Sequence, residues 1–211
     1  MWQGIIRGGT GKLQVLDVIA IYPIPELTSA SNFITIHSEF TSHDILTKPN
    51  VMLYCLTADT AYFIQYDEGD NLLDTRKHPL IFLSQTRLSK RLLRLPKTDF
   101  IQYAKSVDVE RVNAVWMFHS IRRGSTAYSQ VFNSLPGWIT ISELMTVFGI
   151  TLTHADDNPN YVKTIGFETI AEAVIKCYLK NIPTKNKGVF IKTSANDEHL
   201  IPTIKKCFWR H

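Results

Sequence analysis

The chain has 211 residues, of which 45% are hydrophobic and 11% aromatic. This composition supports a packed core and excludes a disordered chain. The formal net charge of +4, from 23 basic and 19 acidic residues, suits an anionic small molecule as well as nucleic acid and selects neither. Three cysteines without metal-site spacing predict no bound metal, buried free thiols at Cys55 and Cys177, and a reducing compartment.

Neither a signal peptide nor a membrane span is predicted from the sequence. Residues 1–11 contain Arg7 and four glycines but no long apolar run, and no later segment approaches the ~20 apolar residues of a span. We therefore expect a cytoplasmic protein without a membrane partner. Gly8–Lys12 lacks the first glycine and the final Ser or Thr of a nucleotide-binding loop, which favours a flexible or turn-forming N-terminus.

Residues 12–66 have the alternating apolar pattern of β-strands. Two runs flank Ala58, Asp59 and Thr60 as in a hairpin with a three-residue loop. The pattern predicts a small β-sandwich or partial barrel, followed by a loop over residues 66–77. The predicted strands are Lys12–Tyr22, Phe33–Ser38, Val51–Thr57 and Ala61–Gln65.

Two short helices are expected after this β-rich region. Thr86–Leu95 would be amphipathic, and its basic residues would either face water or face an anion. Phe100–Val107 would follow, with Thr98 or Asp99 as its cap. We predict a boundary between a β-rich N-terminal domain, residues 1–107, and an α/β domain, residues 108–211.

The stretch from Val112 to Phe132 has the order strand, basic loop, helix. Val112–Phe118 is predicted to be a buried strand, and a helix is expected to start at Ala127. Backbone N–H groups in such a loop, together with the N-terminus of the helix, attract an anion.

Five consecutive loop residues could contribute to this anion site. Arg122 or Arg123 can contact phosphate or sulfate oxygens in pairs, and Gly124 leaves the backbone accessible. Ser125 and Thr126 can donate hydroxyl hydrogen bonds and cap the helix. A simple turn with two solvated arginines is the structural alternative.

Two charged side chains follow later strands directly. Glu143 comes after the strand Trp138–Ser142, and Lys192 comes after the strand Val189–Ile191. In open α/β sheets, ligands bind at the carboxyl ends of the strands. The alternatives are a Glu143 that only complements the dipole of a helix over Leu144–Phe148, and a Lys192 that extends into water. Further helices are predicted for Val162–Leu179 and Ile201–Phe208.

Ile141–Thr151 also resembles half of a helix-turn-helix motif. No basic recognition helix follows, because the next segment contains Asp156 and Asp157. DNA binding depends on neutralising phosphates, so no nucleic-acid partner is expected.

The loop and its flanking elements resemble the sulfotransferase superfamily. Arg122–Thr126 is similar to its 5′-phosphosulfate-binding loop, although Arg123 replaces a usual small residue and Ala127-Tyr128 replaces a usual leucine. The resemblance implies an α/β fold with a P-loop-like parallel sheet and flanking helices. The chain ends at His211, before the strand that holds the 3′-phosphate in that family, so it would be C-terminally incomplete.

The resemblance also implies a reaction: sulfuryl transfer from 3′-phosphoadenosine 5′-phosphosulfate to a hydroxyl or amine acceptor, without a metal. Arg122 and the residues up to Thr126 would bind the donor, Glu143 would be the general base, and Lys192 would contact the transferred group. The alternative is a non-catalytic module of the same fold that binds an anion or a partner. A P-loop nucleotidase is disfavoured because no lysine follows Gly124.

Overall fold

The structure is a computed structural model, and it describes residues 9–19, 28–109, 113–118, 124–142, 166–180, 182–183, 185–193 and 200–208, with the side chains of residues 206–208 left out. These residues form a mixed α/β fold. It has one antiparallel sheet of five strands and one parallel sheet of three strands.

The antiparallel sheet contains the five strands of the N-terminal half. They are β1 (Thr10–Val18), β2 (Phe33–Thr41), β3 (Val51–Leu56), β4 (Thr60–Gln65) and β5 (Arg91–Pro96), in the spatial order β2-β1-β5-β4-β3. The hairpin of β3 and β4 is confirmed. The sandwich is wrong for the described residues, whose five strands form one sheet, whereas the partial barrel stays a prediction. The N-terminal turn is also wrong from Thr10 onward, where β1 already pairs with β2.

The helix expected over Thr86–Leu95 is wrong for most of its length. Helix α1 spans Ile81–Leu88, and Arg91–Pro96 is instead the central strand β5, paired with β1 and β4. Adjacent leucines at 92 and 93 point to opposite faces of the sheet, and both are buried. A strand buried on both faces loses the alternation that distinguishes it from a short helix.

Helix α2 (Lys97–Ser106) follows β5 directly and begins three residues before the predicted helix. Its N-cap residue is Pro96, and no side chain makes a capping hydrogen bond, so the predicted cap at Thr98 or Asp99 is wrong. Helices α4 (Phe167–Leu179) and α5 (Ile201–Phe208) confirm the two predicted C-terminal helices, the first of them within the described residues. Helix α4 contacts α2, α5 and β3.

The parallel sheet contains β6 (Ala114–Met117), β7 (Trp138–Ser142) and β8 (Gly188–Lys192), and helix α3 (Ser125–Ser134) connects the first two. The order is β6-β8-β7, so the last strand in the chain lies in the centre. All three strands were predicted. Burial of the first is wrong: β6 pairs only with β8 among the described strands, and Val115 is 40% exposed.

Buried residues from both sheets and from α2 and α4 form one continuous core. It includes Cys55 and Cys177, and their prediction as buried free thiols is confirmed. The predicted domain boundary falls just after α2 and stays a prediction. None of the helices in the described part of the chain is both long and apolar enough to cross a membrane.

Candidate anion site at the parallel sheet edge

Helix α3 begins at a glycine in a left-handed backbone conformation. Gly124 is its N-cap residue, with φ 76° and ψ 14°, a region that favours glycine. A Cβ atom built on Gly124 would meet no atom within 4 Å. The glycine is therefore required by its backbone angles rather than by crowding from the described residues.

The first two residues of α3 do not cap it as predicted. Ser125 and Thr126 lie inside the helix, which starts two residues before the predicted Ala127, and no described side chain makes a capping hydrogen bond. The first N–H groups of an α-helix have no partner within the helix. No described side chain caps these groups at α3.

Helix α3 packs on one face of β7 and β8. The ring of Phe132 stacks on that of Phe190, with centroids 4.1 Å apart. The Thr140 hydroxyl donates a hydrogen bond of 3.0 Å to the carbonyl of Ser129. Because side chains alternate along a strand, Ser142 and Lys192 lie on the same face as Thr140 and Phe190. The ends of both strands therefore present polar side chains beneath the first turn of α3.

Lys192 is the last residue of the central strand β8, level with Met117 on one side and Ser142 on the other. The residue is only 1% exposed, and its Nζ donates a hydrogen bond to Thr126 Oγ1 at 3.3 Å. The alternative in which Lys192 extends into water is therefore wrong. An ammonium group withdrawn from water needs polar or anionic partners. Its position beside the N-terminus of α3 adds a second source of positive potential.

Thr193 fixes the end of the central strand. Its backbone N–H and its hydroxyl both donate hydrogen bonds to the carbonyl of Met117, at 3.1 and 3.0 Å. These bonds connect the C-terminal ends of β6 and β8. Lys192, which lies one residue earlier, is thus attached to a well-supported backbone rather than to a free loop.

The structure brings together only some of the predicted site residues. Gly124 and Thr126 lie at the start of α3, Ser125 lies beside them and is buried, and Lys192 reaches this turn from the sheet. Arg122, Arg123 and Glu143 lie outside the described residues, so their predicted roles stay predictions. The same holds for the helix over residues 144–148 and for most of the helix-turn-helix alternative.

Sequence reasoning gave Ser142 no functional role and used it only as the end of a strand. This hydroxyl is buried, at 1% exposure, and has no hydrogen-bond partner. The one available signal was its position two residues after Thr140, which places it on the face that α3 covers.

Within the described ranges, no three His, Cys, Asp or Glu side chains are grouped closely enough to hold a metal ion. Comparisons of the chain with protein-family models, with curated proteins and with solved structures gave no match.

Proposed function

We propose that this protein binds 3′-phosphoadenosine 5′-phosphosulfate and transfers its sulfuryl group to a hydroxyl or amine acceptor. The proposal includes a fold of the sulfotransferase type, in which the parallel sheet is P-loop-like. One observation carries it: buried Lys192 donates a hydrogen bond to the first turn of a helix that starts at a left-handed glycine. A phosphosulfate group would be bound by the N-terminus of this helix, by the glycine before it and by the buried ammonium group.

Donor binding would use charge and hydrogen bonds from three sources. No described side chain caps the first N–H groups of α3, which would donate to phosphate oxygens. Gly124, which has no side chain, would let the donor approach the backbone. Arg122 and Arg123, which the sequence places directly before Gly124, would add bidentate contacts.

The transfer step needs in-line placement and charge stabilisation more than covalent help, as in phosphoryl transfer. The acceptor oxygen or nitrogen forms a bond to sulfur while the bond from sulfur to the bridging donor oxygen breaks. The electron pair of that bond leaves with 3′,5′-adenosine bisphosphate, and Glu143 takes the acceptor proton. Lys192 stabilises the negative charge that develops on the transferred group or on the bridging oxygen.

Replacement of the proposed base tests the chemical step separately from donor binding. We expect Glu143→Ala to lower turnover by about 10²–10⁴-fold, because a general base contributes that much, while donor affinity stays nearly unchanged. Turnover is measured as release of 3′,5′-adenosine bisphosphate in the presence of a panel of phenols, sugars and amines. Donor affinity is measured by calorimetry.

Glu68→Ala is the matched control, because Glu68 is an exposed carboxylate in a turn of the antiparallel-sheet half. This control should retain both turnover and affinity. If donor affinity of Glu143→Ala falls as far as its activity, the carboxylate is not acting as the base. Donor binding by the wild-type chain without any turnover would favour the non-catalytic, anion-binding alternative.

A further inference from the structure

The hydroxyl of Ser142 is a buried polar group without a partner. The residue is 1% exposed, and its Oγ makes no hydrogen bond. Most buried polar atoms in proteins are paired, because an unpaired one loses its bonds to water without replacement. An orphaned hydroxyl at the end of a strand therefore needs an explanation of its own.

Its position can be read from three contacts between α3 and the sheet. Phe132 packs on Trp138, the Ser129 carbonyl accepts from Thr140, and Thr126 accepts from Lys192. The helix thus runs toward its N-terminus as the strands run toward their C-termini.

The spacing along both elements then fixes the level of the hydroxyl. Two strand residues beyond Thr140 is about 7 Å, which equals roughly four to five residues of helix. This step from Ser129 brings Ser142 level with Gly124 and Ser125, at the start of α3. The pairing register independently places Ser142 directly beside Lys192.

We propose that Ser142 is a further donor-binding residue, whose hydroxyl donates a hydrogen bond to a 5′-phosphate oxygen of the bound donor, a group that 3′,5′-adenosine bisphosphate also carries. This inference rests on the proposed function. Lys192 directs a hydrogen bond to Thr126, whereas the Ser142 hydroxyl, on the same face and at the same level, makes none. The ligand would supply the acceptor that Ser142 lacks, next to the ammonium group and the helix N-terminus.

The variant Ser142→Ala tests this role, because it should weaken ligand binding without lowering stability. The dissociation constant for 3′,5′-adenosine bisphosphate, measured by calorimetry at fixed ionic strength, should rise about tenfold, as expected for a lost hydrogen bond to a charged oxygen. The melting temperature of the free protein should not fall, since the alanine removes an unpaired buried hydroxyl. A hydroxyl that only supports the fold would give the reverse result for stability.

Ser89→Ala is the matched control. Ser89, between α1 and β5, is also buried, at 6% exposure, and its hydroxyl also lacks a partner. This control should show the same stability response as Ser142→Ala with an unchanged dissociation constant.

Each remaining outcome decides the inference. If wild type binds 3′,5′-adenosine bisphosphate and Ser142→Ala binds it equally well, the role of Ser142 is refuted and the proposed function stands. If wild type does not bind this probe, both the role of Ser142 and the proposed function are refuted. A Ser142→Ala protein that melts several degrees lower, or does not fold, assigns Ser142 a structural role and also refutes the inference.

Discussion

A lysine side chain normally extends its ammonium group into water, whereas Lys192 is enclosed beneath the first turn of α3. Its sequence position allowed both arrangements, and only the burial decides between them. The desolvated ammonium has a stronger field than a solvated one, because the surrounding dielectric is lower. An anion that reaches the start of α3 therefore meets positive potential from the helix and from Lys192 together.

Lys192 and Ser142 differ in how well the sequence predicts them. A lysine directly after an apolar run is a recognisable signal, and its position at the C-terminal end of a strand is confirmed. A serine at the end of a strand is common, and nothing in the sequence shows that its hydroxyl lacks a partner. That property depends on α3 packing over the strand, which is a tertiary contact.

At the scale of elements, the start of α3 depends on one backbone conformation. The left-handed φ of Gly124 turns the chain into the helix, and no described side chain caps the first N–H groups. The sequence analysis explained Gly124 by access to the backbone. Its positive φ is a second reason why glycine is needed at this position. The predicted helix start at Ala127 was late because Ser125 and Thr126 were assigned to capping.

Gly124→Ala should destabilise the protein by about 1–2 kcal/mol, because an L-residue pays this amount in the left-handed region. Gly69→Ala is the control, since Gly69 has no positive φ and a Cβ there would also meet no atom within 4 Å. Its effect should stay within about 0.5 kcal/mol. Urea unfolding measures both. Equal effects of the two substitutions would show that the backbone at Gly124 does not require glycine.

The other strands and helices show where prediction from the sequence succeeds and where it fails. Strands β7 and β8 and helix α5 were predicted nearly to the residue, because turns or polar segments bound each apolar run. Strand β5 was missed because its leucines are buried on both faces between β1 and β4. The pairing partners that make this strand central are distant in sequence, so no local pattern reveals them.

At the scale of the whole molecule, helix α4 packs on β3 of the antiparallel sheet and belongs to the same core. Just after it, Lys180 Nζ donates hydrogen bonds to the backbone carbonyls of Val51 and Lys48, at 2.9 and 3.3 Å. Burial lowers the pKa of Lys180 from 10.5 to about 8, while the nearby Cys177 acts in the opposite direction. This lysine joins two distant parts of the chain and changes its charge near neutral pH.

Stability should therefore depend on pH through Lys180. Below about pH 8 both the folded and the unfolded state carry the proton. Between about pH 8 and 10.5 the unfolded state binds more protons, so the folded state gains stability as the pH rises. From pH 7 to pH 9, the free energy of unfolding of wild type should increase by about 1 kcal/mol relative to Lys180→Met.

Urea unfolding of both proteins at pH 7, 8 and 9 measures this difference. The range stops at pH 9 because burial raises the pKa of Cys177 from 9.0 to about 12. Ionisation of this thiol in the unfolded state opposes the gain at higher pH. If wild type and Lys180→Met change in parallel over this range, the proposed titration of Lys180 is wrong.

The central claim is that the start of α3 and Lys192 together bind the phosphosulfate end of the donor. Calorimetry with 3′,5′-adenosine bisphosphate on wild type, Lys192→Met and Lys180→Met tests it most directly. Methionine is used because it has a volume similar to that of lysine and can replace a buried charged side chain in a folded protein. We predict micromolar binding by wild type, binding weaker by about 10–100-fold in Lys192→Met, and no change in Lys180→Met. No binding by wild type, or equal binding by wild type and Lys192→Met, would contradict the claim.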